Sequence, residues 1–165
     1  MMFRERKGFT LIELLIVIGI IAVLAAIILV ATDPAKRFAQ SRDSRRYAEV
    51  YSILNAVLNY TADNVGTLPA GIDGDPSSSQ MLGTAASGCN VGCAPAGTTT
   101  AACVDLKPDL VDPYIAKIPV DPRGTNGSVT YDDSRTGYYI NKTATGRITV
   151  GACNPERVSD ISVQR

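Results

Sequence analysis

The chain has 165 residues and contains no His and no Trp, which fits one domain or one small domain with an appendage, and excludes imidazole as general base, proton shuttle or metal ligand. Sixteen basic residues balance sixteen acidic ones, and a sequence pI of about 6.2 excludes nucleic-acid binding driven by overall charge. The hydrophobic fraction of 45% is ordinary, but an apolar block fills the start of the chain and the remainder is mostly polar.

Between Glu13 and Asp33 no residue is charged, from Leu14 to Thr32, in the run LLIVIGIIAVLAAIILVAT. As a helix this stretch is about 28 Å long, close to the roughly 30 Å hydrocarbon core of a bilayer. A buried core helix would keep a polar stripe, whereas this run is apolar all round, so the pattern predicts one membrane span. Arg4, Arg6 and Lys7 before it should stay cytoplasmic, leaving everything after Asp33 outside. A secretory signal would place its small-residue cleavage site after the apolar region. Here the small residue, Gly8, stands before it.

The segment Lys7-Gly8-Phe9-Thr10-Leu11-Ile12-Glu13 resembles the prepilin motif of type IV pilins and type II secretion pseudopilins. The resemblance implies cleavage after Gly8 by a membrane peptidase that also methylates the new terminus, making Phe9 N-methylphenylalanine. It implies that Glu13, a carboxylate costly in hydrocarbon unless partnered, pairs with the free amine of Phe9 on a neighbouring subunit and so sets filament register. The alternative for Glu13 is a charge that snorkels to the membrane interface. Removing residues 1–8 takes away three basic groups and one acidic group, leaving thirteen against fifteen, a mature net charge of −2.

Beyond Asp33 the pattern stays helical and becomes amphipathic, with Tyr47, Val50, Tyr51, Leu54, Val57, Leu58 and Thr61 on the expected buried face, and Arg42, Asp43, Arg45, Arg46 and Glu49 on the expected solvated one. One helix from Phe9 to Asp63 would run about 82 Å. Gly19 and Pro34 are its helix-weakening residues: proline removes a backbone hydrogen bond and bends a helix, and glycine costs up to about 1 kcal/mol relative to alanine. A kink is expected near Asp33-Pro34, and the resemblance implies loss of regular helix between Gly19 and Pro34 on assembly. Gly19 serves equally well as a point of close helix packing in lipid.

Gly, Pro, Ser and Thr crowd the region from Gly66 to Thr100, which reads as loop. A short helical or turn segment is expected at Lys107 to Ala116. Strands are expected at Ser128 to Asp132, Gly137 to Lys142 and Arg147 to Ala152, laid against the amphipathic helix as three antiparallel strands of an α+β head. The predicted organisation is therefore a leader at 1–8, a membrane or filament-core helix at 9–33, an amphipathic helix at 34–63, and a head at 64–165 with loops over 66–106 and a sheet over 128–153. Tyr60, Asp63, Asn64, Gly66 and Pro69 resemble the end-of-helix motif of the same family. Tyr114, Ile118-Pro119, Asp121-Pro122, Gly124, Tyr131 and Gly137-Tyr138-Tyr139 resemble the loop-and-sheet motif of its major pseudopilins.

Four cysteines, Cys89, Cys93, Cys103 and Cys153, lie on the expected exported side, where an oxidising compartment favours two disulfides. With no His and irregular spacing a zinc site is disfavoured. Of the three possible pairings, Cys89 with Cys93 and Cys103 with Cys153 is the expectation. The resemblance implies calcium in a loop near the sheet, for which Asp121, Asp132 and Asp133 offer hard oxygens. The end of the chain, Ala152 to Arg165, departs from the acidic ending of that loop and carries a cysteine, so no metal or other cofactor is assigned.

No paired carboxylates, phosphate loop or activated nucleophile stand out, and no enzyme activity is expected. What the resemblance implies is a pilin-like structural subunit of a type IV pilus or a type II secretion pseudopilus. Its partners would be copies of itself and related pilins, the prepilin peptidase and methylase, and an inner-membrane assembly platform with its ATPase. It would cross the cytoplasmic membrane once with its head outside, then join a periplasmic or cell-surface filament, with no direct nucleic-acid contact. The alternative is a membrane-anchored minor pilin, adhesin or DNA-uptake binding module.

Overall fold

A computed structural model describes residues 8–93, 98 and 100–165. The chain divides into two compact units, Met1–Phe38 and Ala39–Arg165. The leader residues Arg4, Arg6 and Lys7 lie outside the described residues.

In the first unit, α1 runs over Leu11–Thr32. Thr10 caps it, since its hydroxyl accepts from the Glu13 N–H while the Glu13 carboxylate accepts from the Thr10 N–H, a reciprocal capping box that satisfies two otherwise orphaned donors. The large apolar side chains from Leu11 through Val30 are all exposed. Over Leu11–Ala31 the helix is long and apolar enough to cross a membrane.

The expected single helix is divided at Asp33, which takes a left-handed conformation with φ 39°. A residue before proline is disfavoured in the right-handed helical region, and Asp tolerates the left-handed one. Its carboxylate then accepts from the Lys36 N–H at 3.2 Å. Pro34, expected to bend a helix, instead opens the next one from its first position, where its missing N–H costs nothing. That helix, α2, spans Pro34–Asp63. Gly19 lies within α1.

The second unit forms around α2. Its buried positions are Ala39, Asp43, Arg46, Val50, Ile53, Leu54, Ala56 and Val57, a stripe that repeats every three or four residues. This corrects the sequence-based assignment of faces: Asp43 and Arg46, expected in solvent, are buried, while Tyr47 and Tyr51, expected inside, are exposed. The stripe is rotated because ionic partners from the head neutralise its charged members.

At the end of α2 the Gly66 N–H donates to the Thr61 carbonyl at 2.8 Å, and Val65 occupies the left-handed position with φ 54°. Tyr60 meets Tyr114 edge-on at 5.8 Å, and the Tyr114 hydroxyl donates to Asp63 at 2.9 Å, so residues that the sequence grouped as an end-of-helix motif hold the helix end to the loop after α3, Lys107–Leu110.

The main sheet has four antiparallel strands in the order β1 (Gln80–Met81), β4 (Tyr138–Lys142), β5 (Ile148–Ala152), β6 (Ser162–Gln164). The hairpin of β4 and β5 is the expected one, with Tyr138 opposite Ala152 and Lys142 opposite Ile148. The third expected strand does not join it. Val129–Thr130 is β3, paired only with β2 (Thr125–Asn126) in a separate ribbon. Residues read as loop take the edge of β4 instead: Gln80 pairs with Ile140, and the Leu82 N–H donates to the Tyr138 carbonyl at 2.8 Å.

Alternation along β4 divides the head into two layers. Tyr138 and Ile140 face α2 and join Val50, Ile53, Leu54, Val57, Val150 and Ile161 in the main core. Tyr139 points the other way, into a smaller core with Met81, Cys89, Cys93 and Cys153. There its ring lies over Gly151, where an added Cβ would approach it to 2.4 Å.

The disulfides cover this second face, and their pairing corrects the expected one: Cys89 bonds Cys103, and Cys93 bonds Cys153. The backbone sets this arrangement. The Cys89 N–H donates to the Ala101 carbonyl and the Cys103 N–H to the Ala85 carbonyl, each at 2.9 Å, which lays residues 85–89 beside 101–103. Cys93 is left to reach the end of β5.

Candidate functional site

Two groups of polar residues are built by the fold, one in each unit. The first surrounds the start of α1. Glu13 Oε2 accepts from both the backbone N–H and the hydroxyl of Thr10 at 2.8 Å, so the carboxylate is folded back toward the helix N-terminus and Phe9. A carboxylate so held faces the positive end of the helix dipole. Phe9 is 91% exposed, and a Cβ added at Gly8 would meet nothing within 4 Å. Nothing in the fold of this chain therefore requires glycine at position 8. The same holds at Gly19, whose missing side chain leaves open space on the face of α1.

The second group is a buried ionic cluster in the head, centred on Arg46, which is fully buried. Arg46 Nε and Nη2 donate in parallel to the two oxygens of Asp121 at 2.8 and 2.7 Å, a fork geometry that only guanidinium supplies. Its Nη1 donates at 2.8 Å to both Asp43 and Glu156. Arg42 clasps Glu156 through a second fork, both contacts at 2.6 Å. Asp43 also accepts the backbone N–H groups of Glu156 and Arg157, the latter at 2.7 Å.

Two guanidiniums thus face three carboxylates, with backbone donors making up the difference. Burial would lower the Arg46 pKa, but the carboxylates of Asp121, Glu156 and Asp43 outweigh it and hold the group above its ordinary value. Hydrogen bonds from Arg42, opposed by partial burial and reinforced by Arg46, draw the Glu156 carboxyl down to about 2. Nearby, the Tyr138 hydroxyl donates to Glu49, and burial followed by that bond raises the phenol well above its usual range. The cluster joins α2 to the loop at Asp121 and to the segment after Cys153. It is a structural fastening, its charged groups spent on one another and on backbone N–H groups.

The calcium candidates are distributed to other duties. Asp121 is spent on Arg46 and on the Arg123 N–H. Asp132 accepts from the Ser134 hydroxyl and N–H and from the Arg135 N–H, closing a turn, and the Ser134 bonds lower its pKa. Asp133 is exposed and meets Lys107 at 3.0 Å. Among the described residues, no group of three His, Cys, Asp or Glu is arranged to hold a metal ion. The cysteines are disulfide-bonded.

The ionic cluster escaped the sequence reading. Its signal was present, because Asp43 and Arg46 fall on the same helical repeat as Ala39, Val50 and Ile53, yet apart from each other and nearby Arg42 the cluster's members lie 75 or more residues away.

Comparison with known proteins bears on the first group. Residues 3–29 match the family described as the prokaryotic N-terminal methylation motif. Over 81 residues the chain is 37% identical to the type IV wide pilus major component PilA4 of Thermus thermophilus, an alignment covering 45% of this chain and 60% of that protein. No solved structure matches.

Proposed function

We propose that this type IV pilin-like chain is a structural filament subunit, cleaved after Gly8, methylated on Phe9 and assembled from the cytoplasmic membrane by packing α1 against copies of itself. The observation that carries the reading is α1 itself: an apolar helix exposed on every side, headed by Thr10 and Glu13, within the methylation motif. Such a surface is stable only in lipid or among other apolar helices, and a filament core provides the second environment after a bilayer provides the first.

Glycine at position 8, which the fold does not need, suits an enzyme that must approach the backbone there. The partners on this reading are the prepilin peptidase and methylase, the assembly platform and its ATPase, and neighbouring pilins. The basic residues Arg4, Arg6 and Lys7 keep the leader cytoplasmic and the head outside. Glu13 meets the Phe9 amine of a neighbour, exchanging its bond to Thr10 for an ion pair within an apolar core. Similarity to a wide-pilus major component favours an extended pilus over a secretion pseudopilus.

The test is Glu13→Ala expressed in cells. Filaments sheared from wild-type cells should yield chains beginning with N-methylphenylalanine. The variant should be cleaved at Gly8 and remain in the membrane, absent from the sheared fraction. Filaments whose subunits begin at Met1 would overturn the processing step, and normal filaments of Glu13→Ala would overturn the register role.

A further inference from the structure

On the α2-facing side of the sheet two apolar rows end in a cation. On β4 the row is Tyr138, Ile140 and Lys142, and along β6 with the residue on either side of it the row is Ile161, Val163 and Arg165. The register places these ends side by side. Lys142 lies opposite Ile148 on β5, and Ile148 exchanges backbone hydrogen bonds with Arg165 at 2.7 and 3.0 Å. Residues directly opposite in antiparallel strands project to the same face. Both cations therefore rise on the core-facing side, flanking Ile148, about 10 Å apart across two strand spacings.

A half-open cavity of about 460 Å³ occupies this end of the head. Ile148 is its floor, Leu58 of α2 with Leu68 and Ile72 of the following loop supply apolar wall, and Lys142 and Arg165 stand at its edge. No carboxylate side chain lines it. Among the described residues neither cation makes an ion pair. Lys142 is half-buried and Arg165 is exposed, so both stand where an outside partner can reach them.

We propose that this cavity is a binding site for a small soluble organic anion with a flat or chain-like apolar body, such as an aryl or alkyl carboxylate or sulfonate. The volume falls in the range of small-molecule sites. The apolar body would cover Ile148 between Leu58 and Ile72, and the anionic group would sit between Lys142 and Arg165 at the rim, where charge-assisted bonds to both form without burying an unpaired charge. The proposal is independent of the assembly reading, since it uses only residues of the head.

The test uses the full chain in nonionic detergent with ¹³C-labelled isoleucine δ-methyl groups, titrated with sodium naphthalene-2-sulfonate and, separately, with the neutral 2-naphthalenemethanol. The sulfonate should give saturable shifts at the Ile72 and Ile148 methyls and leave Ile53 unmoved. Lys142→Gln and Arg165→Gln, both near the surface and expected to fold, should each weaken binding about tenfold, and Lys142→Arg should restore it. The neutral compound should partition into micelles without a saturable shift. The proposal fails if neither methyl shows saturation, if the double glutamine variant binds as the wild type does, or if the neutral compound binds equally well.

Discussion

Replacing Arg46 by Met tests the account of the head most severely. The substitution keeps length and apolar bulk while removing four charge-assisted contacts, two to Asp121 and one each to Asp43 and Glu156. Glu156 keeps Arg42, but Asp121, whose side chain is fully buried, and Asp43 each lose the only cation they meet among the described residues. Removing one partner of a buried pair costs about 3–5 kcal/mol, because the remaining charge stays desolvated. For a unit of this size that lowers the melting temperature by about 10–20 °C. The assay is thermal unfolding of the full chain in nonionic detergent at pH 7, followed by the near-ultraviolet dichroism of the head's tyrosines. Adding Asp121→Asn to the Arg46→Met background removes the more deeply buried of the two orphaned charges and should recover part of the loss, so the double-mutant cycle should give a coupling of at least about 2 kcal/mol. A loss below about 1 kcal/mol for Arg46→Met, or strict additivity in the cycle, would refute the reasoning.

Acid should weaken the same cluster. The Glu156 carboxyl is held at about 2 in the folded chain against an ordinary value of 4.5, so its contribution is complete above about 4.5 and is lost as the pH falls from there toward about 2; Glu156→Gln should flatten the melting temperature across that window. Peptide mapping without reduction should recover Cys89 with Cys103 and Cys93 with Cys153. Replacing the second pair by serines should cost more than replacing the first, about 4 against about 3 kcal/mol, because the closed loop spans 60 residues rather than 14, and denaturant titration would reveal the order. Val65→Asn should raise the melting temperature by an amount equivalent to about 1 kcal/mol, since Val65 is 96% exposed in a left-handed conformation that a β-branched side chain resists and Asn tolerates; an unchanged or lower value would contradict the strained geometry.

How far each element could be read in advance follows from where its determinants lie. Everything that fixes α1 is local: an uncharged run and a Thr and a Glu three residues apart at its start are visible within some twenty-five residues. The β4–β5 hairpin is local too, since alternating Tyr138, Ile140, Ile148 and Val150 flank a short polar turn. The edge strands were illegible because β1 is only two residues long, Gln80–Met81, and owes its state to the open edge of β4. A strand of that length carries no period to detect.

Polarity misled the reading where it was used as a proxy for exposure. On α2 the repeat Ala39, Asp43, Arg46, Val50, Ile53, Val57 is geometrically regular, and only the assumption that charge faces water turned it toward Tyr47 and Tyr51. That assumption holds for an unpaired charge, whose burial is costly, and fails once Asp121 and Glu156 arrive from distant parts of the chain. The same reasoning explains the aspartates: Asp121 read alone offers oxygens to calcium, while Asp121 read with Arg46 is already one half of a guanidinium–carboxylate fork. Helical period therefore outranks side-chain charge as the guide to the buried face, provided the chain can supply a counter-ion for each charge the stripe carries inward. Lys142, half-buried, and Arg165, exposed, end two such rows at the edge of the cavity over Ile148, where a charged head still reaches water and the row can close without an internal counter-ion.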